Sequence, residues 1–339
     1  MKVFHPNFRV FLAGEIMQNP PGNQVHPYFK GSWYHLQDET FVKSYCQLTG
    51  QSVYKVAGYN VLTRKHSVIG YVNAYLYSPE IVKDFTELDA NEFRRWMRYK
   101  KIGQGWIFSS RKYPFLINSE SHGGTLFLNL TQSEETLWNN LEQRCRTAIR
   151  KAEKNNMKIN INDGSQHFEK WYVIYSRLAQ RRNFPVQSSN VLLGLLNKGY
   201  GKLFTAWYRE NLLGGVFFLF REYCIPLAAG FGSGQEYRKY SPGNLLWWEA
   251  IKYAKAQGLT FFDFMGANDD PNHGPTKFKR SFGPEFVRMY KYTLDGFVMK
   301  KWLFNTLIWG QKILTSFGNI QHPISKWKTF VFKLHNKIR

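Results

Sequence analysis

Acidic residues and cysteines are the scarce classes in this chain of 339 residues. It holds 24 Asp and Glu against 46 Lys and Arg, a formal net charge of +22. Such an excess predicts polyanionic company: nucleic acid, anionic lipid or a phosphate-bearing substrate. It does not choose among them. The three cysteines, Cys46, Cys145 and Cys224, are not paired at short spacing. They argue against a disulfide framework and a zinc site, and they suit a reducing cytosol. The nine histidines show no H-E-x-x-H or other ligand spacing, so no metal is expected. The opening MKVFHPNFRVFLAGEIMQNPPG lacks an apolar signal core, and no secretory leader is expected. The apolar stretch Trp302–Trp309 is too short to span a bilayer, which takes about 20 residues. A cytoplasmic location follows as the expectation.

Two common catalytic signatures are also missing. No G-x-x-x-x-G-K-[ST] occurs, which rejects a P-loop. No G-x-S-x-G occurs either, because Phe231 stands where Ser233 would need a glycine.

Apolar and aromatic residues are plentiful, at 43% and 17% of the chain. That suffices for substantial cores, and the length suggests two domains at roughly 150 residues each. Apolar runs predict strands at Ser52–Ala57, Val68–Leu76, Gly105–Ser109 and Gly124–Leu130, with a helix at Phe85–Tyr99. This first domain, 1–130, is mixed α/β and shows no catalytic constellation. A helix follows over 131–156, opened by Thr131 and Glu134 at capping-box spacing. It links into a second domain, 131–295. There Met157–Ile161, Lys202–Tyr208, Gly214–Arg221, Ile225–Phe231, Leu259–Phe264 and Phe286–Leu294 predict strands. Ser165–Arg182 and Asn244–Gln257 predict helices, the latter stopped by Gly258. The fold class expected is α/β, of mixed α+β type. The tail 296–339 has no acidic residue and interleaves eight cations with aromatics. It predicts a basic helix that lies on an anionic membrane surface or packs on the domain.

Two segments carry chemistry. The first is Gly230–Leu246, a glycine-bearing turn that opens a helix. Arg238 and Lys239 add charge there, and Ser241-Pro242-Gly243-Asn244 opens the helix, with Ser241 or Asn244 available as a cap. A helix N-terminus offers free amides and partial positive charge to phosphate. The second is Leu259–Tyr292, a strand, an acidic loop and the cluster Lys277, Phe278, Lys279 and Arg280. Asp263 ends that strand. It could act as a general base, pair with Lys279, or only satisfy loop amides. Asp269 and Asp270 either meet an amine acceptor or solvate the loop.

A strand–loop–helix of the first kind resembles the cofactor-binding core of the GNAT acyltransferase superfamily. The loop departs from the usual R-x-x-G-x-G/A, since Gly243 stands five residues after Arg238. Three further segments resemble the Fem-type aminoacyltransferases and the related CelD-type acetyltransferases. They are TLFLNLTQSEETLWNNLEQRCRTAIRKAEKNNMKI, YRKYSPGNLLWWEAIKYAKAQGLTFFDFMG and TKFKRSFGPE. The resemblance covers about 115–293. It implies two GNAT-like domains side by side, the first degenerate. It implies an N-acyltransferase that takes acyl-CoA or aminoacyl-tRNA as co-substrate, with no tightly bound cofactor. The acceptor it implies is an amino group of a nucleotide- or lipid-linked cell-envelope precursor. On the resemblance, Lys279 with Phe278 beside it stabilises the oxyanion. Arg280 or Lys277 could instead take that role, or hold substrate phosphates. Charge density together with the resemblance suits Arg144, Arg146, Arg150 and Lys151 to the phosphates of a nucleotide- or lipid-linked sugar. The competing expectation is a non-enzymatic basic module for RNA or anionic membranes.

Overall fold

The computed structural model describes residues 33–65, 72–116, 119–162, 167–232 and 235–296, without the side chains of 119–122, 162, 235, 236 and 238. The basic tail from 297 onward, and the expected starts at Val68 and Ser165, lie outside the described residues. The described residues divide into two units, 36–121 with 290–296, and 33–35 with 122–289. Both are mixed α/β.

The unit built on 36–121 opens with α1 (Glu39–Thr49), which the sequence reading missed. Asp38 caps it, its carboxylate accepting the Phe41 N–H at 2.7 Å. An antiparallel hairpin of β1 (Ser52–Val56) and β2 (Tyr59–Lys65) leads to antiparallel β3 (Val72–Tyr77). α2 (Glu87–Tyr99), with a capping box from Thr86 and Asp89, crosses to parallel β4 (Gln104–Ser109). Tyr290–Asp295 completes this sheet antiparallel to β4. Phe93 and Met97 of α2 fill the core with Val61, Ala74, Leu76 and Ile107. Alternation along the strands puts those residues on one face.

The second unit begins with β5 (Ser119–Asn129), α3 (Glu134–Asn139), α4 (Gln143–Lys154) and β6 (Lys158–Asn162). Next come α5 (Phe168–Arg182), α6 (Ser189–Asn197), β7 (Gly201–Tyr208), β8 (Asn211–Phe220) and β9 (Tyr223–Phe231). It closes with α7 (Gln235–Tyr240), α8 (Pro242–Ala256), β10 (Phe261–Asp263), α9 (Gly274–Arg280) and the start of β11 (Glu285–Asp295). The strands run in the order β5-β10-β9-β8-β7-β6. β6 to β9 form an antiparallel meander, β10 joins β9 in parallel, and β5 closes on β10 antiparallel. α4 and α8 cover one face with Ile149, Leu246, Trp247 and Ile251 over Phe204, Val216, Phe218 and Phe262. α5 covers residues of the alternate parity. The Trp171 indole N–H donates to Gly215 O at 2.9 Å, and Tyr175 lies on Gly230.

The helix expected over 131–156 is two helices. Thr131 does not cap it: its hydroxyl and amide both go to the Asn129 side chain, at 2.8 and 2.9 Å. Ser133 caps α3 instead, accepting the Thr136 N–H at 3.1 Å. The helix then breaks before Gln143, where the Glu142 amide donates to Ser281 O at 2.9 Å rather than to a helical carbonyl. The loop expected between β10 and β11 contains α9, and the glycine loop contains α7. The strand expected at Leu259–Phe264 is confined to Phe261–Asp263.

Gly230 marks the closest approach of α5 to the sheet. A Cβ there would stand 2.5 Å from Tyr175 Cα and 2.8 Å from its amide nitrogen, backbone atoms that cannot rotate away. Gly230→Ala should therefore lose about 1–3 kcal/mol through overpacking. An unchanged urea midpoint would contradict this packing.

Candidate active site

The site is organised around the end of β10. Asp263 is fully buried, at 0% exposure. Its carboxylate accepts the Thr125 hydroxyl from β5 and the Met265 amide, the latter at 2.7 Å. Those bonds turn the chain sharply, with Met265 at φ 57, in the left-handed region. Two residues later the chain is tied back to β5. Gly124 N donates to Ala267 O at 2.9 Å, and Ala267 N donates to Gly124 O at 2.7 Å. Gly123 and Gly124 must lack side chains here. A Cβ on the first would run into Ala267 O, and one on the second into the Phe286 ring.

α9 is anchored to the same loop. The Asn268 amide donates to the buried Thr276 hydroxyl at 2.9 Å. Lys279 then reaches back, its ammonium donating to Met265 O and Gly266 O, each at 2.7 Å. The side chain is half-buried. Burial of the ammonium lowers its pKa from 10.5 to about 8, and the Asp263 charge opposes that shift. An ammonium has three hydrogens. Two are held by carbonyls, and the third has no acceptor among the described residues.

Phe278 faces the other way. Its ring meets Trp247 of α8 at 6.0 Å and Phe282 at 5.4 Å, both edge-on. A Cβ on Gly243 would meet the Tyr237 hydroxyl at 3.2 Å, Phe278 at 3.8 Å and Phe231 at 3.9 Å. Gly243, Phe278, Phe231 and Tyr237 therefore converge at the N-terminus of α8. Among the described residues, no strand pairs with the β9 edge beside them. Parallel pairing to β10 consists of Phe261 with Tyr223 and Phe262 with Cys224. β9 continues to Phe231, bulging where its register on β8 shifts between Phe217 and Phe218. An extended chain can bond along such an edge, and the first turn of α8 holds the Gly243 amide between Pro242, which has no N–H, and Asn244, whose N–H donates to Ser241 O at 3.2 Å.

The other expected site residues are distributed differently. Asn244 donates to Cys145 Sγ at 3.4 Å, joining α8 to α4. Lys239 is exposed, 5.2 Å from the centre of the Tyr240 ring. Arg238 lies on α7, and its side chain is outside the described set. Arg144 reaches α9, donating to Lys277 O at 3.0 Å while pairing with Glu142 at 2.6 Å. Arg146 takes the free carbonyls at the end of α3, Asn139 O at 2.9 Å and Leu141 O at 2.5 Å. Arg150 stacks over Trp138 at 5.4 Å, and Lys151 is exposed. The structure thus brings together Asp263, Lys279, Phe278 and Gly243, with Arg280 on the far side of α9. Sequence reasoning missed Thr125, Thr276, Tyr237 and the two carbonyls under Lys279. The glycine pair before Thr125 in a strand was the one available signal.

Residues 139–280 match a family model described as the acetyltransferase (GNAT) domain. Within those residues the chain is similar to the GNAT acetyltransferases. Solved structures share the architecture. FemX is 15% identical, with 78% of this chain and 92% of that one covered at a TM-score of 0.59. The C-terminal domain of a putative lysylphosphatidylglycerol synthetase from Agrobacterium fabrum is 11% identical, with 78% and 90% covered at 0.51. L-PGS from Bacillus licheniformis is also 11% identical, with 76% and 92% covered at 0.51. At these identities the likeness is one of fold. No curated protein matches the sequence. Among the described residues, no three His, Cys, Asp or Glu cluster to hold a metal ion. No described helix is long and apolar enough to cross a membrane.

The Lys279 environment has a pH signature. The fold disfavours its charged form, so the folded chain holds this proton less tightly than the unfolded one. Below about pH 8 both states are protonated and the penalty is complete; between about 8 and 10.5 the unfolded chain binds more protons, so stability rises with pH. Lys279→Met lacks that rise. Urea unfolding across this window should show the wild type gaining on the variant, and parallel curves would contradict a desolvated ammonium.

Proposed function

We propose that this acyltransferase moves an acyl or aminoacyl group from acyl-CoA or aminoacyl-tRNA to an amino group of a cell-envelope precursor. The observation that carries the reading is Lys279, pinned to two carbonyls of the loop after β10 with its third N–H spare. In the reaction a neutral amine attacks the donor's carbonyl carbon, and charge develops on the carbonyl oxygen. The spare N–H of Lys279 is the donor for that oxygen. It need not reorganise, because Met265 O and Gly266 O already fix it. One such donor supplies about 3–4 kcal/mol of transition-state stabilisation. The tetrahedral intermediate then collapses. The carbon–sulfur bond of a thioester, or the carbon–oxygen bond of an aminoacyl ester, breaks. The proton lost by the amine passes to the departing thiolate or alkoxide. Asp263 is buried and committed to the loop, so its role is to position Lys279 rather than to take that proton.

The donor lies along β9, with its phosphates at the first turn of α8. Phe278 and Tyr237 wall that end. Acyl-CoA is the usual donor of a GNAT domain. An aminoacyl donor is supported by one of the fold neighbours, which is named a putative lysylphosphatidylglycerol synthetase. The net charge of +22 suits either polyanionic donor and an anionic inner membrane face, where the protein would act peripherally.

Turnover should be measured with acetyl-CoA and with charged tRNA against an amine panel. Lys279→Met should lower kcat by about 100-fold or more with donor binding retained. Full activity of that variant would sink the assignment, and turnover with one donor class would settle which is used.

A further inference from the structure

α9 carries a second cation on its opposite side. Phe278 faces α8, and Arg280, two residues on, lies about 200° around the helix axis. Lys279 sits between them. Arg280 is half-buried, its guanidinium 5.5 Å from the centre of the Phe286 ring. Its Nε is buried, and the N–H there has no acceptor. Arg288 of β11 lies over the same ring at 5.9 Å and pairs with Asp269 at 3.1 Å. Two guanidiniums thus share one ring. The carboxylate beside them bonds Arg288, and among the described residues none pairs with Arg280.

A half-buried guanidinium without an anion, its buried Nε–H orphaned, is a costly arrangement to keep. It becomes favourable when a ligand brings two oxygens to the Nε–H and a neighbouring Nη–H, the side-on bidentate pairing of arginine with a carboxylate. The seat is close to the reacting centre. The Phe286 ring lies against Gly124, which is bonded both ways to Ala267. Ala267 directly follows Gly266, whose carbonyl holds Lys279. The donor end of the site, at Gly243 and Phe278, is on the other side of α9.

We infer that Arg280 seats a carboxylate of the acceptor, so that the acceptor is an amino-acid-like amine bearing both the nucleophilic nitrogen and a carboxylate. This rests on the acyl-transfer reading. It narrows the acceptor from any amine to an amino acid or peptide carrying a free carboxylate. Phe286 underlies the guanidinium, and Arg288, paired with Asp269, lies over the same ring.

The test is binding without donor, so it stands apart from turnover. Calorimetry on the full chain would compare Nα-acetyl-L-lysine with Nα-acetyl-L-lysinamide, which differ only at the carboxylate. The acid should bind at least about tenfold tighter to wild type, the scale of one charge-assisted pair. Arg280→Gln should bring the acid down to the level of the amide, and Arg280→Lys should restore part of the difference. Thermal melts would confirm that both variants fold. Equal affinity of acid and amide for wild type overturns the inference whatever the variants do. So does undetectable binding of either probe at millimolar concentration, or acid binding unaffected by Arg280→Gln. Inorganic phosphate that binds in an Arg280-dependent way while the acid does not would mark a phosphate seat and equally overturn the carboxylate assignment.

Discussion

The buried carboxylate of Asp263 is the constraint on which the site depends. A charge wholly removed from water needs fixed partners, and Asp263 finds them in the Thr125 hydroxyl and the Met265 amide. Meeting that requirement bends the chain at Met265 into a backbone conformation that side chains rarely adopt. The bend turns the carbonyls of Met265 and Gly266 toward α9, where Lys279 collects both. A buried anion thus positions a cation through two backbone oxygens. The arrangement fixes the ammonium in place before any ligand arrives.

α9 divides the site. One side presents Phe278 to Trp247 of α8, near Gly243 and Phe231. The other presents Arg280 to Phe286 and β11. The short helix can do this because both its flanks are tied down. Thr276 holds the loop before it, and the Glu142 amide takes Ser281 O just after it. That second tie also ends the run of helix before α4. The break in the long helix and the placement of Lys279 are therefore one structural event.

Much of the fold was legible in the sequence. β7, β8, β9 and α8 lie close to where apolar periodicity put them, because each is long and buries a continuous stripe. α9 was not legible. It has seven residues, opens with Gly274 and Pro275, and buries little beyond Thr276; tertiary bonds hold it rather than any pattern of its own. The division between α3 and α4 was hidden for the same reason, since the partner that interrupts it is more than a hundred residues away. Within the site, Phe278 and Lys279 stood out through resemblance to a family. The carbonyls that hold Lys279 belong to Met265 and Gly266, whose side chains signal nothing about them. Arg280 stood out as charge, but its orphaned Nε and its place over Phe286 needed coordinates.

The central claim is that Lys279 is a desolvated ammonium fixed by the loop that Asp263 shapes. The most direct measurement is its pKa, by NMR titration of the lysine side-chain carbons with Lys279→Arg used to assign the signal. The account predicts a midpoint of about 8, moving further down in Asp263→Asn as the opposing charge is lost. A midpoint near 10.5, unmoved by that substitution, would show a solvated surface lysine and contradict the account.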